Sequence, residues 1–227
     1  MVASLSLVHD RVAKAHEGVH GGHDIHHVVR VATWAKRIAL DEWNDEHIAY
    51  LAEIAALCHN ADRLLESKYG RGNAFVPAIE ELILSWLEGI SISSNDCAIL
   101  FEAVLGHNKP NDDNHSRVQI ALMDADKLTN MAMDLIIRSA QLYHDQPAVD
   151  MEWYVSDSNV TYRNPGSCLK DIWYTLEWVD PKTRFCFRTR LGWEVGKKRA
   201  FHIEGFINLL KGQLTEDGIV FRKREEV

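Results

Sequence analysis

Between residues 26 and 57 the apolar side chains recur at helical rather than strand spacing, and this most limits the folds open to the chain. Val28, Val31, Ala32, Ala35, Ile38 and Ala39 form one stripe, over 26–40. Ile48, Leu51, Ala52, Ala55 and Ala56 form a second, over 45–57. Residues three and four apart share a helix face, so each stripe needs an apolar partner. Similar patterning predicts a helix over 77–87, with Pro77 near its first turn, and another through Ala98 and Leu105. Ser94 is read as the cap of the latter and Gly106 as its end. The stretch 115–143 reads as one long helix, broken near Asp124.

The next stretch, 145–168, contains Pro147 and Asn164-Pro165-Gly166 and reads as a long loop. A helix over 169–178, an alternating segment at 183–190 that suits a short strand or an extended connection, and a helix over 191–214 complete the chain. With 227 residues and no repeat, low-complexity run or linker, the expectation is a single all-α domain over 1–227, its core at about 20–145. Hydrophobic residues at 46% and charged residues at 26% fit a soluble globular protein. The net charge of -8 argues against a broad nucleic-acid footprint, although a few local cations suffice for a small phosphorylated partner.

No apolar run is long enough to span a bilayer, and the N-terminus lacks the basic region of a signal peptide. A cytoplasmic protein with no membrane partner is therefore expected, and a homodimer stays open. Cys58, Cys97, Cys168 and Cys186 form no CxxC pair and read as reduced thiols. Trp34, Trp43, Trp86, Trp173 and Trp178 fall mostly on helical stripes and suit core packing better than base stacking.

Against this background the run Leu57-Cys58-His59-Asn60-Ala61-Asp62 stands out, because an apolar helix delivers a histidine from its buried face. A lone buried histidine is more often a satisfied core residue than a ligand. The chain has 12, and His9, His16, His47, His144 and His202 read as incidental. His27 opens one helix, His59 ends another and Asp124 lies inside a third; imidazole and carboxylate from separate helices are what a divalent ion needs. Asp126 flanks Asp124 but points elsewhere on a helix and reads as structural, although two acids so close leave the choice between them open.

Joined in order, these segments resemble the HD-domain superfamily of metal-dependent phosphohydrolases. The carriers are His27-Val28-Val29-Arg30-Val31, then Ala55-Ala56-Leu57-Cys58-His59-Asn60, then His107 after Ala103-Val104-Leu105-Gly106, then Asp124-Ala125-Asp126-Lys127-Leu128. Near the C-terminus, Thr189-Arg190-Leu191-Gly192, Arg199-Ala200-Phe201 and Phe206-Ile207-Asn208-Leu209-Leu210 look like the closing helix of small bacterial members. The resemblance implies a helical HD-domain bundle and a divalent metal ion (Mn, Mg, Co, Ni, Fe or Zn) held by His27, His59, Asn60 and Asp124. It also implies hydrolysis of a small phosphorylated substrate, such as a nucleotide, by metal-activated water. The departure is Asn60, which stands where the family has an aspartate. An amide oxygen can ligate but brings no charge, bridges poorly and cannot act as a base, so a two-metal site is disfavoured.

Asp62, one helical turn after His59 if the helix continues, is a candidate to position the water; a helix cap or a partner of Arg63 is the plainer alternative. Lys127 and Arg30, three residues from Asp124 and His27, are candidate phosphate cations, unless they pair with nearby carboxylates. His107, Arg63, Lys68 and Arg71 are candidates for substrate binding, the last two in a glycine-bearing basic loop; Tyr162-Arg163-Asn164-Pro165-Gly166 is a candidate lid. Two further readings follow: a di-iron oxygenase of the HD type, drawing on His107 and His115, and a catalytically impaired HD protein that binds a ligand in the same pocket.

Overall fold

The first stripe buries itself against the second and against a third apolar helix, and the rest of the molecule is built round that triplet. The computed structural model describes residues 2–19, 22–70, 75–156, 159–161 and 164–222. Its elements are α1 (Val2–Ala15), α2 (Ile25–Trp43), α3 (Glu46–Cys58), α4 (Ala61–Tyr69), α5 (Val76–Leu87), α6 (Ser94–Gly106) and α7 (Arg117–Asn130). After these come α8 (Leu135–Leu142), α9 (Cys168–Tyr174), a 3-10 turn (Thr175–Val179) and α10 (Arg190–Glu216). The architecture is all-α, a single helical bundle. No described helix is long and apolar enough to cross a membrane.

At its centre α2 packs along α3 and α7, and α6 closes on α3 and α7. Small side chains permit the close approach: Ala49, Ala52, Ala55 and Ala56 of α3 and Ala32, Ala35 and Ala39 of α2 are buried. Larger residues, Ile38, Leu51, Ile54, Leu100, Leu122 and Leu128, fill the gaps between them. Trp86 and Trp178 belong to this buried set, while the Trp34 ring has the Arg37 and Arg199 guanidiniums over it at 4.9 and 5.2 Å. The cysteines are free thiols, and burial pushes Cys58 up to about 12.

Capping fixes the helix starts. Asp24 accepts from His27 N, Asp45 from His47 N and Ile48 N, and Ser116 from Gln119 N. The cap of α6 is Ser93 rather than Ser94, which is its first residue. The long 115–143 helix divides at residues 131–134, not near Asp124. The segment 183–190 forms no strand, and among the described residues the loop before α9 holds two isolated bridges, Asp150 with Tyr154 and Thr161 with Asn164.

Candidate metal centre

Three central helices deliver three ligand atoms to one point. His27 is the third residue of α2, and its own N–H is what Asp24 accepts at 2.9 Å, so the cap that starts the helix also sets the position of this imidazole. His59 follows the last residue of α3, and its Nδ1–H donates to Ala56 O at 2.6 Å, leaving Nε2 as the ring's acceptor. That Nε2 lies 3.3 Å from His27 Nε2. Asp126 Oδ1, from α7, lies 3.2 Å from His27 Nε2 and 3.9 Å from His59 Nε2. The three ligand atoms are all within 4.8 Å of one another.

The histidines are 2% and 1% exposed and the Asp126 side chain is 23% exposed. Burial holds His59 well below the ordinary histidine range, and so neutral. Burial acts to raise Asp126, but the hydrogen bond from His27 and the nearby His59, His27 and His107 rings outweigh it and keep the acid ionised. Two imidazoles and one carboxylate are a chemically suitable donor set for a divalent ion.

Asn60 stands beside the cluster with an unsatisfied donor, which suits an anionic ligand and not a cation. It stands at the N-cap of α4, where an Asn side chain would ordinarily take a backbone N–H, yet it makes no cap bond. The residue is 3% exposed, and its buried Nδ2 has no partner among the described residues. A buried amide with an unsatisfied end beside His59 is costly unless something else engages it.

The structure replaces Asp124 with Asp126 as the carboxylate of the cluster. Two residues along a helix turn the side chain by about 200°, to the opposite face. Asp124 faces the start of α10: its Oδ2 accepts from Arg188 N at 2.9 Å, Thr189 N at 2.8 Å and Thr189 Oγ1 at 2.8 Å. Its Oδ1 lies 3.4 Å from Lys127 Nζ. Lys127 is spent on that pair and on Cys186 O at 3.2 Å, and is buried. Burial also lowers its affinity for a proton, which suits a strut better than a phosphate cation. Arg30 is likewise engaged, its guanidinium gripping Asp134 at 2.6 and 3.3 Å.

Around the cluster the other residues sort differently. His107 belongs to it: its ring is 5.5 Å from that of His59, edge to face, and its Nδ1–H donates to Val104 O at 2.6 Å. Asp62 accepts from Arg63 N at 2.8 Å, and Arg63 donates to Glu66 at 2.9 Å, so both serve the first turn of α4. Lys68 is exposed at the far end of α4, 5.1 Å from the Tyr69 ring. Arg71, Tyr162 and Arg163 lie outside the described residues. His115, just before α7, meets the guanidinium of Arg188, just before α10, at 3.3 Å.

Two residues at this site escaped the sequence reading. The His23 ring is 5.8 Å from that of His27, its Nδ1 is buried without a partner among the described residues, and burial pushes it down to about 3. Its neighbour Asp24, a cap, was the available signal. Arg138 of α8 contacts His27 Nδ1 at 3.2 Å, a meeting across 111 residues that no local pattern signals.

No protein-family model matches the chain, and comparison with curated protein sequences gives no match either. Solved structures do match. A Lactobacillus plantarum structural-genomics protein aligns with TM-score 0.67 and 18% identity, over 95% of this chain and 99% of that one. Bacillus subtilis YpgQ, solved in complex with ADP, aligns with TM-score 0.67 and 17% identity, over 93% and 95%. The Lin1889 protein of Listeria innocua aligns with TM-score 0.62 and 16% identity, over 92% and 96%. At these identities the likeness is one of fold: the chain has the same all-helical architecture, end to end, as these three bacterial proteins.

Proposed function

We propose that this chain is a metal-dependent phosphohydrolase with a single-ion site, acting on a small phosphorylated molecule, with nucleotides the leading class. The observation that carries the reading is the convergence of His27 Nε2, His59 Nε2 and Asp126 Oδ1 within 4.8 Å, from the bundle's central helices. The HD-domain resemblance supplies the reaction class, and the ADP bound to YpgQ, a protein of the same fold, supports the substrate class.

A divalent ion bound there would polarise a phosphoryl oxygen and acidify a coordinated water. The chain's own contribution is positional. His59 is oriented by the Ala56 carbonyl, which fixes the proton on Nδ1 and points the Nε2 lone pair into the cluster. Asp126 stays ionised and is held at 2.8 Å by Asn130 Nδ2. His107, its Nδ1 proton committed to Val104 O, offers Nε2 as an acceptor for a proton of the attacking water.

Asn60 favours one alternative, a protein that binds a phosphorylated ligand without turning it over. The two are separated by stripping the protein with chelator and adding back Mn, Co, Ni, Zn or Mg. Hydrolysis predicts phosphate or pyrophosphate release from a nucleotide panel, abolished in His59→Ala and Asp126→Asn. Nucleotide binding without release, in every metal, selects the binding protein; failure to bind any metal sinks the proposal.

A further inference from the structure

Arg138 makes an unusual contact with the site. Its Nη1 lies 3.2 Å from His27 Nδ1, and its Nη2 donates to Asn130 Oδ1. Asn130 in turn donates to Asp126 Oδ1 at 2.8 Å. One guanidinium thus touches one ligand residue directly and a second through an amide.

A guanidinium has donors only. In this contact His27 Nδ1 must therefore accept, and the neutral ring carries its proton on Nε2, where Asp126 Oδ1 is 3.2 Å away. A metal ion needs the Nε2 lone pair. Ligation would move the ring proton to Nδ1, where it would face an Arg138 N–H, donor against donor. Histidine ligands ordinarily give their second N–H to a carbonyl or carboxylate. His59 does so with Ala56 O; His27 does not.

The contact also leaves Arg138 incompletely satisfied. Its Nε is buried with no acceptor among the described residues, where its two hydrogen bonds go to a ring nitrogen and an amide oxygen rather than a carboxylate. Arg30 and Lys127, by contrast, are paired with Asp134 and Asp124.

We infer that Arg138 is a metal-coupled positioning residue: its hold on His27 Nδ1 is incompatible with ligation through Nε2, so metal binding would displace it and free its guanidinium for the phosphate of the substrate. The inference rests on the metal-dependent reading above. Once off His27, Nη1 and the second N–H of Nη2 form the two-pronged end that suits a phosphate. Metal filling and phosphate binding are then coupled through one side chain.

The tests are nitrogen NMR of the histidine rings and calorimetric titration of the full chain with zinc, then with inorganic phosphate. In the metal-free wild type His27 should carry its proton on Nε2, and zinc should move it to Nδ1. Arg138→Met should bind zinc about tenfold more tightly and, once zinc-loaded, bind phosphate about tenfold more weakly. Arg138→Lys should shift both affinities in the same directions by less. A proton on Nδ1 in the metal-free protein overturns the inference, as does zinc binding weakened or unchanged by Arg138→Met. If zinc binds to neither wild type nor variant, the metal reading fails and this inference with it. If Arg138→Met does not fold, the wild-type ring signals and the lysine variant decide the matter.

Discussion

Asn60 places a neutral amide next to His59, where one more carboxylate would add a full charge to the ligand set. Ligand charge count tunes affinity most steeply for hard ions. Asn60→Asp is expected to tighten manganese binding by at least about tenfold, which is about 1.4 kcal/mol, in a calorimetric titration. Unchanged affinity would place Asn60 outside the site. The two acids of α7 give a paired test. Asp126→Asn should abolish metal binding and leave the protein folded. Asp124→Asn should leave metal affinity within about twofold but cost about 2–3 kcal/mol in urea unfolding, since it weakens charge-assisted hydrogen bonds from buried donors. The opposite pattern would restore Asp124 as the ligand. In sequence the two acids are nearly equivalent; the choice depended on which face of α7 meets α2 and α3.

At the level of elements, Asp124 ties the central bundle to the C-terminal helix. Its Oδ2 takes the backbone N–H groups of Arg188 and Thr189, and Thr189 in turn caps α10 through Gly192 N at 3.1 Å. Gly192 is part of this joint, since a Cβ there would lie 2.8 Å from both Asp124 Oδ2 and Thr189 Oγ1. Gly192→Ala should therefore destabilise by about 1–3 kcal/mol, the usual cost of overpacking, read from chemical denaturation. A variant as stable as wild type would mean that α10 docks less tightly than these distances imply. Helix existence was legible from periodicity for α2, α3, α5, α6 and α10. The break between α7 and α8 was not, because Met131 and Leu135 keep the apolar spacing across it and are buried. The α4 helix was not legible either, since Asn60 at its N-cap makes no side-chain cap bond.

Over the whole molecule, stability should carry opposing pH dependences. Burial raises Asp171, 9% exposed between α8 and the core, to about 6, and Ser139 and Arg138 only partly offset this. The folded protein then keeps a proton that the unfolded chain has lost between about pH 4 and pH 6. Stability from this group falls as pH rises through that window, by about 3 kcal/mol in all. His16 and His23 act the other way: burial lowers both, so unfolding takes up protons below their ordinary value of 6.5 and stability falls as pH drops. Asp171→Asn removes the first dependence alone. Its stability relative to wild type should rise by about 2–3 kcal/mol from pH 4 to pH 7 in urea unfolding. A constant difference across that range would show that Asp171 is not held as the neutral acid.

The sequence alone determined the all-α class, the single bundle and two of the three residues of the cluster, His27 and His59. Each of these follows from local periodicity: a helix face is set by residues three and four apart, and an apolar stripe that ends in histidine says where that histidine emerges. Only the tertiary structure decided between Asp124 and Asp126, sent Lys127 and Arg30 to structural pairs, and brought His23 and Arg138 to the site. Those outcomes depend on how α2, α7, α8 and α10 are turned about their axes when they pack. That rotation is set by side chains up to about a hundred residues apart, which no window of the sequence contains.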